Sequence, residues 1–247
     1  MFNRREGVAT NAHDISRAEL DEGLRAYMLR VYSYMAFGLA LTGAVGFYVV
    51  TNAALMQTLL GTPLRWVFLA IWIGMGFFSN RLFFSNNPVV GQVAFWGFCV
   101  VGGVLVAGMV APFMYGYGGG LTTVARAFMV TAVTFLGMSI LGYTTKRDLS
   151  GFGGFFAMAI IGIFVAMLAN AFIFESSSFG LIISCVVVLV FSALLMYETQ
   201  QIKHMYFQGM SMGMQNQTAI FGAYLLYGSF IVLFSHILNI LGALSGD

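Results

Sequence analysis

One carboxylate stands inside the apolar stretches of this chain. Glu198 lies in the run Ser192-Ala193-Leu194-Leu195-Met196-Tyr197-Glu198-Thr199-Gln200-Gln201-Ile202-Lys203. An acid about one turn inside a membrane interface must be hydrated, paired or protonated, so its charge would follow pH. The plainer reading is a side chain snorkelling from a helix end. Arg81 closes another apolar stretch on the same expected side. An Arg81–Glu198 pair would tie two helices together across a cavity, and protonating Glu198 would loosen the tie. His236 follows Ser229 by seven residues, so the two share a helix face. It would sense protons or line an ion path, or simply bond to a neighbouring helix, and the second reading is favoured.

Other chemistries are poorly supplied. Ser139, in Gly137-Met138-Ser139-Ile140-Leu141-Gly142, lacks the tight glycine context of an intramembrane serine nucleophile. A zinc hydrolase needs about three protein ligands, and only His236 is clearly placed within an apolar stretch. No Asp lies inside any such stretch, which leaves a two-aspartate protease without its acids. The expectation is that the chain is not an enzyme and holds no resident cofactor or metal. Cys99 and Cys185 fall in apolar runs and read as small buried hydrophobes. Glu175 reads as a wetted loop residue on the outer side.

The elements that must position these groups are transmembrane helices. Of 247 residues, 60% are hydrophobic and 8% charged, with mean hydropathy +0.88. A soluble domain carries roughly 25% charged residues, so lipid is the main solvent. The net charge of +2 is too small to suggest nucleic acid. Apolar runs near 30–51, 64–85, 89–113, 123–143, 152–174, 178–200 and 219–244 each approach the roughly 20 residues that cross the hydrocarbon core. The spacing therefore predicts an all-α bundle of seven spans over 30–247. A polar segment, 1–29, precedes it, in which Ser16 to Glu19 fits the capping box of a short interfacial helix.

Asn87-Pro88, Gly116 to Gly120 and Lys146-Arg147-Asp148 separate spans. Nine basic residues (Arg4, Arg5, Arg17, Arg25, Arg30, Arg81, Lys146, Arg147 and Lys203) share one side, and only Arg65 and Arg126 fall on the other. This distribution puts the N-terminus in the cytoplasm and the C-terminus outside. Gly38, Thr42 and Gly46 recur every four residues, a spacing that lets helices approach closely. Trp66, Trp72 and Trp96 read as interfacial anchors.

Two motifs then carry a resemblance. Leu141-Gly142-Tyr143-Thr144-Thr145-Lys146-Arg147-Asp148-Leu149-Ser150-Gly151 resembles the loop after the fourth helix in the Bax inhibitor-1 family, the bacterial YccA-like and eukaryotic TMBIM proteins. Tyr197-Glu198-Thr199-Gln200-Gln201-Ile202-Lys203 is similar to that family's sixth-helix motif, Tyr-Asp-Thr-Gln-x-Ile-Lys. The last span, with Leu226-Tyr227 and Ile237 to Gly242, matches in outline. The resemblance implies a seven-helix bundle with the seventh helix near its centre, in a bacterial inner membrane. It marks Tyr143, Lys146, Asp148, Tyr197, Gln200 and Lys203 as motif residues.

It also implies a pH-sensitive calcium leak. In such members two facing acids on helices six and seven share a proton, and an arginine from helix two latches the closed state. Glu198 takes the sixth-helix position and Arg81 the arginine position. The seventh-helix motif, Leu-Tyr-Leu-Asp-Phe-Ile-Asn-Leu-Phe, reads here Leu226-Tyr227-Gly228-Ser229-Phe230-Ile231-Val232-Leu233-Phe234. Ser229 stands where the acid would be, which removes the like-charge pair and half of a site for calcium, an ion that takes about six or more oxygen ligands. The alternative role that the resemblance implies is regulation of a membrane protease of the FtsH type, gripped through the polar N-terminal segment.

Overall fold

In the computed structural model the chain is described at residues 3–85, 87–115 and 120–245, with side chains from residue 22 onward. Among these residues there are helices and no strands, and seven helices are long and apolar enough to cross a membrane. The spanning helices are α1 (Asn3–Thr51), α3 (Leu64–Phe83), α4 (Pro88–Tyr115), α5 (Gly120–Thr144), α6 (Gly153–Ala169), α7 (Ser177–His204) and α8 (Met212–Ser245). A 3-10 turn (Ser150–Phe152) leads into α6, and a π-helical turn (Asn170–Phe174) ends it. All seven expected spans are present, most of them a few residues longer than the apolar runs.

Two elements depart from expectation. No separate interfacial helix begins at Ser16: α1 runs unbroken from Asn3, and its apolar part, Glu22–Thr51, is only the second half. The composition changes near residue 22, but the backbone has no proline there to break it. The short helix α2 (Ala53–Leu60) was not foreseen. Asn52 starts it by accepting the Leu55 N–H on its side chain at 3.2 Å. Of the glycine-rich turn at 116–120, residues 116–119 lie outside the described residues; Gly120 opens α5 at φ +61°, a value that favours glycine. Pro88 is the first residue of α4, where a missing N–H costs nothing.

The bundle is arranged around α8, as the resemblance implied. Half of its most apolar stretch is buried, against 6% for α3 and for the span containing α6, which therefore face lipid. Leu226, Tyr227, Leu233 and Leu238 on α8 are fully enclosed. Between α1 and α4 the contact is backbone-close. A Cβ on Gly103 would stand 2.7 Å from Val45 Cβ and 2.9 Å from the Thr42 carbonyl, and Gly46 lies against the Gly103 carbonyl. Thr42 donates to the Cys99 carbonyl at 2.9 Å and accepts the Tyr227 hydroxyl at 2.6 Å, pinning α1, α4 and α8 together. The Gly38-Thr42-Gly46 row is thus a packing face toward α4.

Two readings of single residues are corrected. Trp66 sits exposed in the first turn of α3 under Arg65, as an anchor would. Trp72, by contrast, lies mid-span, stacked on Phe98 with centroids 5.1 Å apart, and Trp96 packs on Tyr34 and Phe95. Both pack against the aromatic core because α3 turns the Trp72 face to α4 and α4 turns the Trp96 face to α1. Cys99 is buried, but Cys185 is exposed on the lipid side of α7.

The α1–α4 contact yields a paired expectation. Gly103→Ala should destabilise the bundle by about 1–3 kcal/mol through overpacking against backbone. Gly43→Ala, where a Cβ meets nothing within 4 Å, should not. Thermal unfolding in detergent reads both.

Candidate functional site

The motif of α7 acts through helical geometry. Successive residues point about 100° apart, so four consecutive side chains reach four different neighbours. Tyr197 packs its ring on Phe156 of α6 at 5.3 Å. Glu198 faces α8, where the Ser229 hydroxyl donates to its Oε2 at 2.7 Å. Thr199 faces α5, within 3.2 Å of the Ser139 hydroxyl. Gln200 faces the loop between α5 and α6. Its Nε2 donates to the Arg147 carbonyl and its Oε1 accepts the Leu149 N–H, both at 2.7 Å.

One turn on, Lys203 donates to the Tyr143 carbonyl at 2.9 Å and sits over the Tyr143 ring at 5.0 Å. Asp148 takes the Ser150 N–H at 2.9 Å, and that backbone donor holds its exposed carboxyl below the usual range. Thr145 Oγ1 lies 3.4 Å from the Arg147 N–H. The side chains of Lys146 and Arg147 are exposed and make no ion pair among the described residues.

Glu198 is half-buried and Ser229 buried. Their bond joins α7 to the central helix. Arg81 does not join them. It is exposed in the last turn of α3 and makes no ion pair among the described residues, so the expected Arg81–Glu198 tie is not formed. The reason is the face of the helix: buried Phe83 packs on Phe221 and Tyr224 of α8, and Arg81, two positions earlier, points about 200° away.

His236 belongs to a second polar group nearer the other end of α8. Ser184 of α7 gives its proton to the Gly180 carbonyl at 3.0 Å. Its oxygen then accepts Asn239 Nδ2 at 3.0 Å and meets His236 Nδ1 at 3.1 Å. With the serine proton already committed, Nδ1 must carry the hydrogen. His236 is therefore a helix-bonding histidine. A third chain runs from the Tyr32 hydroxyl to Ser139 at 2.6 Å, on to Thr199, and ends at the Leu195 carbonyl at 2.9 Å. Ser139 is occupied in that chain and has no histidine partner. Among the described residues no three His, Cys, Asp or Glu side chains gather to hold a metal.

Sequence reasoning passed over Ser184, Asn239, Tyr32 and the two-sided grip of Gln200. An asparagine inside a span is itself a signal, because lipid offers it no partner.

Comparison with known proteins agrees with this architecture. The family described as "Inhibitor of apoptosis-promoting Bax1" matches residues 24–246. A protein of Rickettsia prowazekii, RP147, is 33% identical over 222 residues, covering 90% of this chain and 91% of its own. A Deinococcus radiodurans protein is 36% identical, covering 88% and 90%. The inner membrane protein YbhL of Escherichia coli is 34% identical, covering 89% and 92%.

Removing the loop clamp gives a local expectation. Gln200→Leu would leave the Leu149 N–H and Arg147 carbonyl without their partner, at a cost of about 1–3 kcal/mol for each buried group. Hydrogen exchange at the Leu149 amide should accelerate at least tenfold while amides in α4 keep their rates.

Proposed function

Because the chain belongs to the Bax inhibitor-1 family of membrane proteins, we propose that it is a pH-sensitive cation leak, with calcium as the permeant ion. The observation that supports this reading is the 2.7 Å bond from Ser229 to Glu198 between α7 and the central helix α8. Glu198 is the one carboxylate placed well within a spanning helix among the described residues. Ionised, it accepts the Ser229 proton and holds the two helices together. Protonated, it offers a weaker acceptor and carries no charge, so the contact loosens. Flux therefore rises as pH falls.

One carboxylate and one hydroxyl supply far fewer oxygens than the six or more of a tight calcium site, which suits a passing ion better than a stored one. The arrangement differs from a facing acid pair in having a single titrating group and no arginine latch. The setting proposed is a bacterial inner membrane, with the N-terminus cytoplasmic and the C-terminus outside, following the distribution of Lys and Arg.

Calcium flux into proteoliposomes, measured across pH, tests the role of the pair. Glu198→Gln should flatten the pH dependence. Ser229→Ala should raise flux several-fold at neutral pH. Identical profiles for wild type and Glu198→Gln would remove Glu198 from the mechanism.

A second reading is regulation of a membrane protease of the FtsH type. It rests on α1 continuing as a helix from Asn3 to the start of its apolar part at Glu22, which gives a partner a helical segment to grip. Deleting residues 1–21 should then abolish recovery of the protease in pull-down while flux stays intact; recovery without the segment would end this reading.

A further inference from the structure

The end of the bundle that carries the α5–α6 loop has two adjoining concavities. One, of about 590 Å³, is lined by Thr145, Lys146, Arg147, Asp148, Lys203 and His204. The other, of about 360 Å³, is a groove between α1 and α5 lined by Arg25, Met28, Leu29, Leu136 and Ile140. Tyr143 lines both. The first is basic and lies in the loop; the second is apolar apart from Arg25 and the Tyr32–Ser139 pair, and runs along the spans. A charged chamber above an apolar groove has the outline of a phospholipid: head at the interface, chain below.

The cations here are not all spoken for. Helix C-termini attract basic side chains, and that accounts for Lys203, which is bonded to the Tyr143 carbonyl near the end of α5. Asp148 is engaged by the Ser150 N–H and feels the charge of His204. Arg25, Lys146 and Arg147 have no acidic partner among the described residues. Arg25 sits early in the apolar part of α1, across the groove from Tyr143. The chamber is also preformed, because Gln200 holds the loop backbone at Arg147 and Leu149, so little ordering cost falls on a ligand. Below it, Leu29, Leu136 and Ile140 are 57–61% exposed toward the bilayer. The groove stays open because the α1–α5 link here is a side-chain one, the Tyr32 hydroxyl and ring reaching Ser139 and Phe135.

We propose that this end of the bundle binds one anionic phospholipid. Its phosphate sits among Arg25, Lys146 and Arg147, and one acyl chain runs along the α1–α5 groove past Leu29, Leu136 and Ile140. Basic pockets beside transmembrane helices are suited to acidic headgroups, each surface cation contributing a severalfold gain in affinity. The inference stands apart from the leak reading, since it concerns binding and not flux.

The test uses the full chain in nanodiscs of phosphatidylcholine doped with phosphatidylglycerol, released into mild detergent for native mass spectrometry. Wild type should carry one phosphatidylglycerol in excess of its share of the bilayer. Lys146→Gln/Arg147→Gln, two exposed changes that leave the core untouched, should weaken retention roughly 30-fold. Ile140→Trp, which fills the groove and keeps every charge, should also release the lipid. Arg126→Gln, at the opposite end, should not. Retention of phosphatidylglycerol by the double variant at the wild-type level would overturn the proposal. So would a site that inorganic phosphate empties and Ile140→Trp leaves unchanged, which would be a free-anion site and not a lipid site.

Discussion

Hydrocarbon supplies no hydrogen bonds, so a polar side chain that enters this bundle bonds within it, either back to its own helix, as Thr131 does to the Ala127 carbonyl, or across to another. Several of the cross-helix links run through α7. A helix turns about 100° per residue, and the run from Tyr197 to Gln200 spends those steps on α6, α8, α5 and the α5–α6 loop in turn. A motif that looks in one dimension like a string of unrelated polar residues is, in three dimensions, a hub.

The hub works because α8 is already fixed as an axis. Glycines 102 and 103 on α4 let α1 and the Tyr227 ring come close, and the Tyr227 hydroxyl finds Thr42 and, through it, the Cys99 carbonyl. Lipid is as apolar as leucine, so there is no hydrophobic gain from pairing helices within it. Close packing by small residues and shared hydrogen bonds must do that work. The same economy shows toward the other end, where Ser184 serves both His236 and Asn239 with one oxygen.

The polar groups along α8 are chemically unlike. Toward its C-terminus, His236 is bonded to Ser184 and is structural. Near its middle, Ser229 meets the carboxyl of Glu198, beneath a basic loop whose shape is set by Gln200. An acid with one weak partner is easier to release than one matched to an arginine. The α7–α8 contact here joins one carboxyl to one hydroxyl, with Arg81 turned outward. The clustering of unpaired cations beside the same loop gives this end of the molecule its interest as a lipid-binding face.

Much of this was readable along the chain. The seven spans followed from the length of the apolar runs, since a span must be both long and uncharged, and neither property depends on a neighbour. The turn at Asn87-Pro88 and the place of Glu198 within a spanning helix followed from residue chemistry alone. Pairings did not. That Glu198 meets Ser229 and not Arg81 depends on helix rotation, which is set by Phe83 packing on α8. The mid-bundle place of Trp72, the outward face of Cys185 and the continuity of α1 through Ser16 have the same origin. Length and hydropathy belong to each segment by itself, whereas rotation and contact belong to pairs of segments, and only their packing selects among faces that are nearly equal in composition.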